Sequence, residues 1–200
     1  MRVVGFRSER ELISNLYETS TLGNPDARPY ESAKISIVKM AIAAIKPTQY
    51  YAVEELIGYQ QRLRAKVALF GEDTLSMQYG GIDVEREDGE IQTMMPPIVE
   101  KSREGVLLLD GTHRAMLAKR VGEKALMRVV LVENIPEKFD IAQRRLPNDW
   151  DEITMFSSVE ELKKARKEGF AHRRVGYGAS PDDLYRDFSK FTKRSKDVRK

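Results

Sequence analysis

Between Pro96 and Asn134 the chain alternates short apolar runs with turn residues in an order that few architectures accept. "PPIVEKS" reads as a strand, "REG" as a turn and "VLLLD" as a second strand. "THRAMLAKRVG" follows as a short helix closed by Gly122, because a glycine just past the last helical residue supplies the usual C-terminal cap. "ALMRVVLVE" is then a third strand. Strand, strand, helix and strand in this order predict a small mixed α/β layer, an α+β domain with its own core.

The flanks are less uniform. Residues 1 to 33 read as a strand, a helix over "SERELISNLYE", and a loop rich in Gly, Pro and Asn. "AKISIVKMAIAAIKP" fits either a strand, by alternation, or a helix, by its alanines; Pro47 ends it in both cases. "AVEELIGYQQRLRAKVALF" carries Val53, Leu56, Ile57, Tyr59, Leu63 and Val67 at helical spacing. "MQYGGIDVEREDGEIQTM" is a polar, glycine-bearing insertion, a surface loop or hairpin. "SSVEELKKARKEGF" has serines with glutamates three residues on and Gly169 behind, the pattern of a capped helix. Ser180 and Pro181 ahead of two aspartates read as another helix start. Trp150, the single tryptophan, is read as an anchor for the C-terminal segment.

Composition excludes several classes. At 200 residues and 41% hydrophobic content the chain can build one good core. No window approaches the roughly 18 apolar residues of a membrane span, and the N-terminus turns to charge too early for a secretory signal. Cysteine is absent, which removes disulfides, thiol catalysis and thiolate metal sites and fits a cytoplasmic protein. Two histidines, His113 and His172, lie too far apart in sequence to suggest a zinc site, and His172 sits in a basic run as a surface residue. The net charge of +3 is unevenly placed: 13 Lys/Arg against 9 Asp/Glu after residue 150, and 21 against 22 before it. Such a basic third suits nucleic-acid phosphates, or equally a solvated helix face and a frayed end.

The turn "DGTHR", residues 110 to 114, concentrates the chemistry. A strand running into a helix leaves the first helical N–H groups unpaired, and with the helix dipole these form an anion site. Gly111 lets a phosphate approach the backbone, His113 adds a donor or charge, and Arg114 adds a planar fork for phosphate oxygens. Asp110, at the strand's C-terminal edge, is placed to orient a hydroxyl, take its proton or hold magnesium beside phosphates. The competing arrangement has Asp110 and Thr112 capping the helix, with His113 and Arg114 on its exposed side.

The segment from Met95 to Asn134, preceded by "VKMAIAAIKPTQ" and "AVEELIGYQQRL", resembles the ParB/sulfiredoxin-like superfamily over about residues 36 to 134. The resemblance implies a nucleotide site in which the turn Gly111, Thr112, His113 and Arg114 holds phosphates and Pro96 and Pro97, after Met94 and Met95, border the ligand. Thr112 stands where sulfiredoxins carry their catalytic cysteine, which excludes sulfinic-acid reduction. Chromosome-partitioning ParB proteins have a G-E-R-R-type turn that binds cytidine triphosphate and a helix-turn-helix after it; here the turn is G-T-H-R and no clear helix-turn-helix follows. "DGTHR" is most similar to the D-G-H-H-R motif of the ParB-like free-serine kinases, where the aspartate and a glutamate near the first core helix serve phosphoryl transfer. Gln49 falls at that glutamate's position, and Glu54 or Glu55, one turn into the helix, are its substitutes. Tyr50 and Tyr51, beside this pocket, suit packing under the helix or stacking on a base.

These readings predict a ParB/sulfiredoxin-like domain at 36–135, an N-terminal extension at 1–35 and a basic, mainly helical extension at 136–200. The expected function is binding of ATP or ADP with magnesium, and phosphate transfer to a hydroxyl of a small molecule or nucleoside. Asp110, Glu55 and His113 are its catalytic residues and Asp110 its metal ligand. The alternative is a DNA-binding or DNA-cutting ParB-like protein that uses its basic C-terminal third.

Overall fold

The computed structural model describes residues 2–143, 146–170 and 184–194. The chain begins with β1 (Arg2–Arg7) and α1 (Glu9–Tyr17), whose first turn is capped by Ser8 accepting from the Glu11 N–H. A short β2 (Ser20–Thr21) leads through a loop to β3 (Lys34–Ala41), β4 (Ile45–Pro47) and β5 (Tyr51–Val53). The ambiguous segment is therefore two strands joined by a single 3₁₀ turn at Ile42–Ala44. Its β-branched residues and its pairing with a neighbouring strand outweigh the helix propensity of its alanines. Next come α2 (Glu54–Val67), the hairpin β6 (Gly81–Glu85) and β7 (Glu90–Met94), then β8 (Ile98–Ser102), β9 (Gly105–Asp110), α3 (Thr112–Val121) and β10 (Leu126–Glu133). The predicted core sequence of elements is thus observed. After it stand β11 (Thr154–Phe156), α4 (Val159–Lys167), β12 (Arg186–Asp187) and β13 (Thr192–Arg194).

A five-stranded sheet in the order β3-β10-β8-β9-β4 forms the centre. It is mixed: β10 lies parallel to β8 and β9 parallel to β4, while β8–β9 and β10–β3 are antiparallel. Both faces are buried, which explains the near-continuous apolar run "VLLL". Leu107, Leu109, Val130 and Val132 point to one face, with Leu12, Leu16 and Tyr30. Leu108, Met127 and Val129 point to the other, against Ile57 of α2 and Ala115 and Leu117 of α3. A second sheet, β1-β6-β7-β13, covers Leu63 and Val67 of α2 through Ile82 and Val84.

The flanks are part of this body. Leu12, Leu16 and Tyr30 from the first 35 residues, and Leu184, Tyr185 and Phe191 from the last stretch, are all buried in one cluster with the central sheet. Arg186 binds Glu100 of β8 through Nε and Nη2 at 2.8 and 3.0 Å, and the Tyr30 hydroxyl donates to the same carboxylate at 2.6 Å. Trp150 donates its indole N–H to the Ile45 carbonyl at 2.8 Å, so it does anchor the segment that follows the core. The described part of the C-terminal extension is not mainly helical: α4 is its one α-helix, and three short strands accompany it because each finds a partner in β5, β2 or β7. The serine-proline helix start at Ser180 and Pro181 lies outside the described residues.

Candidate functional site

Because β4 and β9 run parallel, their C-terminal ends emerge on one edge of the sheet. Pro47 pairs with Leu108, so Gln49 and Asp110 each follow two residues later. Thr48 ties the two ends together, its Oγ1 donating to the Leu108 carbonyl at 2.5 Å. Ile98 faces Asp110 while Val99 faces Leu108, which leaves Leu109 as an extra residue in β9. A bulge of this kind re-aims the side chain beside it, here Asp110 at the mouth of the turn.

Gly111 follows in the left-handed region at φ +95° as the N-cap of α3. A Cβ at this position would stand 2.7 Å from the Pro97 Cβ, so conformation and contact both require glycine. The helix ladder starts with the Ala115 N–H donating to the Gly111 carbonyl at 3.0 Å. The N–H groups of Thr112, His113 and Arg114 precede that bond, and no side chain caps them. Capping by Asp110 or Thr112, the competing arrangement, is therefore not what this turn does.

Arg114 is not on an exposed side either. It is 5% exposed, donates through Nη1 to the Met95 carbonyl, and sits 3.3 Å from the Met77 sulfur. Burial pushes its pKa down to about 10, with Asp110 opposing the shift, so the guanidinium stays charged at neutral pH. Among the described residues it has no carboxylate in ion-pair contact, although Asp110 is near enough to act on it electrostatically. His113 is half-buried; its Nε2 is shielded from solvent and has no hydrogen-bond partner among the described residues. Burial lowers its pKa below the ordinary imidazole value, against the pull of Asp110. His113 is thus a neutral hydrogen-bonding group at neutral pH, not a second charge.

A cavity of about 350 Å³ opens over this turn, within the size range of small-molecule sites. Asp110, Gly111, Thr112, His113 and Arg114 form one wall. Gln49 and Tyr51 come from the strand end beside it, Tyr59, Gln60 and Leu63 from α2, and Gln92, Thr93 and Met94 from β7. Phe188 and Phe191 arrive from the C-terminal segment. Asp110 is the one acidic side chain among these lining residues.

Not every expected residue comes to the cavity. Glu55 is exposed and turned to α4, where its carboxylate accepts the Val159 N–H at 3.1 Å; Glu54 pairs with Arg120 of α3 at 2.6 Å. Both stand exposed in the first turn of α2 and neither lines the cavity, so neither replaces Gln49, which does. Pro96 and Pro97 are buried behind the turn, with Pro97 against Gly111, and the lining falls instead to Met94 and Met95. Tyr50 is core, and Tyr51 lines the cavity while its hydroxyl accepts from Arg166 at 3.0 Å. Tyr59 belonged to the apolar stripe of its helix, which gave no sign of an opening beside it. Gln60 had no signal at all. Phe188 and Phe191 were hidden in the basic tail, where an aromatic pair flanking Ser189 and Lys190 was the available clue.

A family model for the ParB CE domain matches residues 11–154. The chain belongs to the ParB CE domain family. The match embraces most of α1, the central sheet, α2, α3 and the whole turn, and it reaches beyond the 36–135 boundaries on both sides. No curated protein and no solved structure matches the chain. In this ParB CE domain the described basic side chains of α4 are partly engaged: Lys163 with Glu160 at 2.7 Å, Lys164 with Glu168 at 4.0 Å, and Arg166 with Tyr51. His172 and the run from Ser195 to Lys200 lie outside the described residues. No helix among the described residues is long and apolar enough to cross a membrane, and no group of three or more metal-ligating side chains occurs among them.

Proposed function

We propose that the cavity binds a nucleotide, ATP or ADP, with its phosphates on the turn from Asp110 to Arg114, and that the domain transfers a phosphoryl group to a hydroxyl of a small molecule or nucleoside. The observation that carries this reading is the uncapped start of α3 beside a buried guanidinium that has no carboxylate in ion-pair contact among the described residues. Unpaired N–H groups, a helix dipole and a desolvated cation converging on one cavity favour an anion. Arg114 and the N–H groups of Thr112 and His113 hold phosphate oxygens, and neutral His113 donates or accepts one more hydrogen bond.

Asp110 lines the same cavity, and its carboxylate has no hydrogen-bond partner among the described residues. That fits magnesium as such ions are held in phosphate sites, by one or two carboxylates with the remaining positions given to phosphates and water. Magnesium would screen phosphate charge from Asp110; the carboxylate itself orients the acceptor hydroxyl and takes its proton. Gln49, across the strand ends from Asp110, is neutral and serves as a hydrogen-bonding group, so Asp110 is the one carboxylate base among the described lining residues, with the neutral imidazole of His113 beside it.

DNA contact through the basic C-terminal third has less support, since described basic side chains of α4 are engaged within the domain, Lys163 with Glu160 and Arg166 with Tyr51. The test is calorimetric titration of ATP and ADP, with and without magnesium, into wild type and Arg114→Met. The variant keeps most of the volume and removes the charge, and it is expected to weaken binding by about 1.5–3 kcal/mol, the range of a charge-assisted hydrogen bond. A wild type that binds neither nucleotide, or a folded variant that binds them equally well, overturns the reading.

A further inference from the structure

The turn accounts for one wall of the cavity, and the opposite region differs in chemistry. Tyr59 is half-buried and packs on the cluster of Leu63, Val67 and Ile82 under the second sheet. Phe188 is also half-buried but packs on the other large cluster, with Leu184, Tyr185 and Phe191. The two rings therefore reach the cavity from two separate hydrophobic clusters and each keeps exposed ring surface. Gln60, next to Tyr59, presents an amide oxygen that is shielded from solvent and has no hydrogen-bond partner among the described residues. Half-open aromatic faces with a desolvated, unmatched amide beside them suit a flat heteroaromatic ring whose edge carries hydrogen-bonding groups.

We infer that Tyr59 and Phe188 clamp the base of the bound nucleotide, with Gln60 hydrogen-bonded to the base edge, so that the C-terminal segment is a working part of the ligand site. The inference rests on the phosphate reading of the turn and adds the residues that make the ligand a nucleotide rather than a bare polyphosphate. It also gives the buried Arg186–Glu100 pair a consequence for binding. That pair fixes the chain two residues before Phe188, and β13, which follows Phe191 directly, pairs with the β7 strand that lines the same cavity. Phe188 is held at both ends.

Three probes separate the contributions: ATP, tripolyphosphate and adenosine, titrated into wild type, Phe188→Leu, Tyr59→Leu and Phe188→Tyr, with thermal melts to confirm folding. Stacking on an aromatic side chain changes base affinity by roughly 5- to 150-fold on removal. Wild type is expected to bind ATP at least about fivefold more tightly than tripolyphosphate. Each leucine variant should lose about fivefold or more for ATP and adenosine while holding tripolyphosphate unchanged, and Phe188→Tyr should retain wild-type ATP affinity. Equal affinity of wild type for ATP and tripolyphosphate overturns the clamp while leaving the phosphate site standing. So does a leucine variant that loses both ligands alike, or neither. Binding of neither ATP nor tripolyphosphate by wild type removes the phosphate reading and the clamp together.

Discussion

Arg186→Leu tests whether the C-terminal segment is structurally part of the domain. Arg186 and Glu100 are 0% and 1% exposed in their side chains, so no water screens the pair. The guanidinium donates twice to Glu100, at 2.8 and 3.0 Å, once to the Leu184 carbonyl at 2.5 Å and once to the Phe139 carbonyl at 2.8 Å. Leucine removes all four bonds and leaves a buried carboxylate with the Tyr30 hydroxyl as its remaining hydrogen-bond donor among the described residues. Stranding one member of a buried pair costs about 3–5 kcal/mol, a large share of the roughly 5–15 kcal/mol that holds a domain together. Urea unfolding followed by circular dichroism should therefore show a stability loss of about 4 kcal/mol near pH 8.

The pH dependence sharpens this test. Burial raises the Glu100 carboxyl above its ordinary value, and Arg186 and Tyr30 oppose that rise. Without Arg186 the folded-state value climbs further, so the native state binds a proton that the unfolded chain does not take until the ordinary carboxyl range near 4.5. The mutational loss should shrink as pH falls from 8 toward 5. Glu100→Leu combined with Arg186→Leu should regain most of the loss, because an apolar pair of suitable volume replaces a buried ion pair at little cost. A loss under about 1 kcal/mol for the single variant, or a double variant as unstable as the single, would refute the reasoning.

Gly111→Ala places a Cβ at φ +95° and 2.7 Å from Pro97; a loss of at least about 1–3 kcal/mol is expected from the backbone conformation alone, and a melting temperature equal to wild type would contradict it. His113 has a lowered pKa, so the unfolded chain takes up its proton first: stability should be full above about pH 6.5 and decline as pH drops below it, and His113→Gln should flatten that decline in pH-resolved urea titrations. Asp110→Asn should retain or tighten nucleotide binding without magnesium and abolish turnover, since the carboxylate repels phosphate in the ground state; unchanged turnover in a phosphoryl-transfer assay would remove Asp110 from the chemistry. Deleting Lys193 to Lys200 takes away two of the three residues of β13 and should weaken nucleotide binding through β7, and any DNA complex that survives the deletion should show a flatter dependence of affinity on salt.

The order of elements in the centre was legible because each is fixed by neighbours in the chain. Short apolar runs bounded by turn residues made β8, β9 and β10, serines placed three residues before glutamates capped α1 and α4, and Gly111 marked a turn that only glycine can make. The same local logic drew attention to "DGTHR" as the candidate anion-binding turn. What surrounds that turn was decided by packing between distant segments. Burial of Arg114 depends on Met77 and Met95 closing over it, the choice of Gln49 over Glu55 depends on the parallel pairing of β4 with β9, and the rings of Tyr59 and Phe188 face one cavity from residues more than a hundred positions apart. Local sequence sets dihedral angles and the side a residue faces. Which side chains share a cavity depends on long-range strand pairing and on buried contacts such as Arg186 with Glu100, and those are free energies of the whole folded chain that no short stretch of it contains.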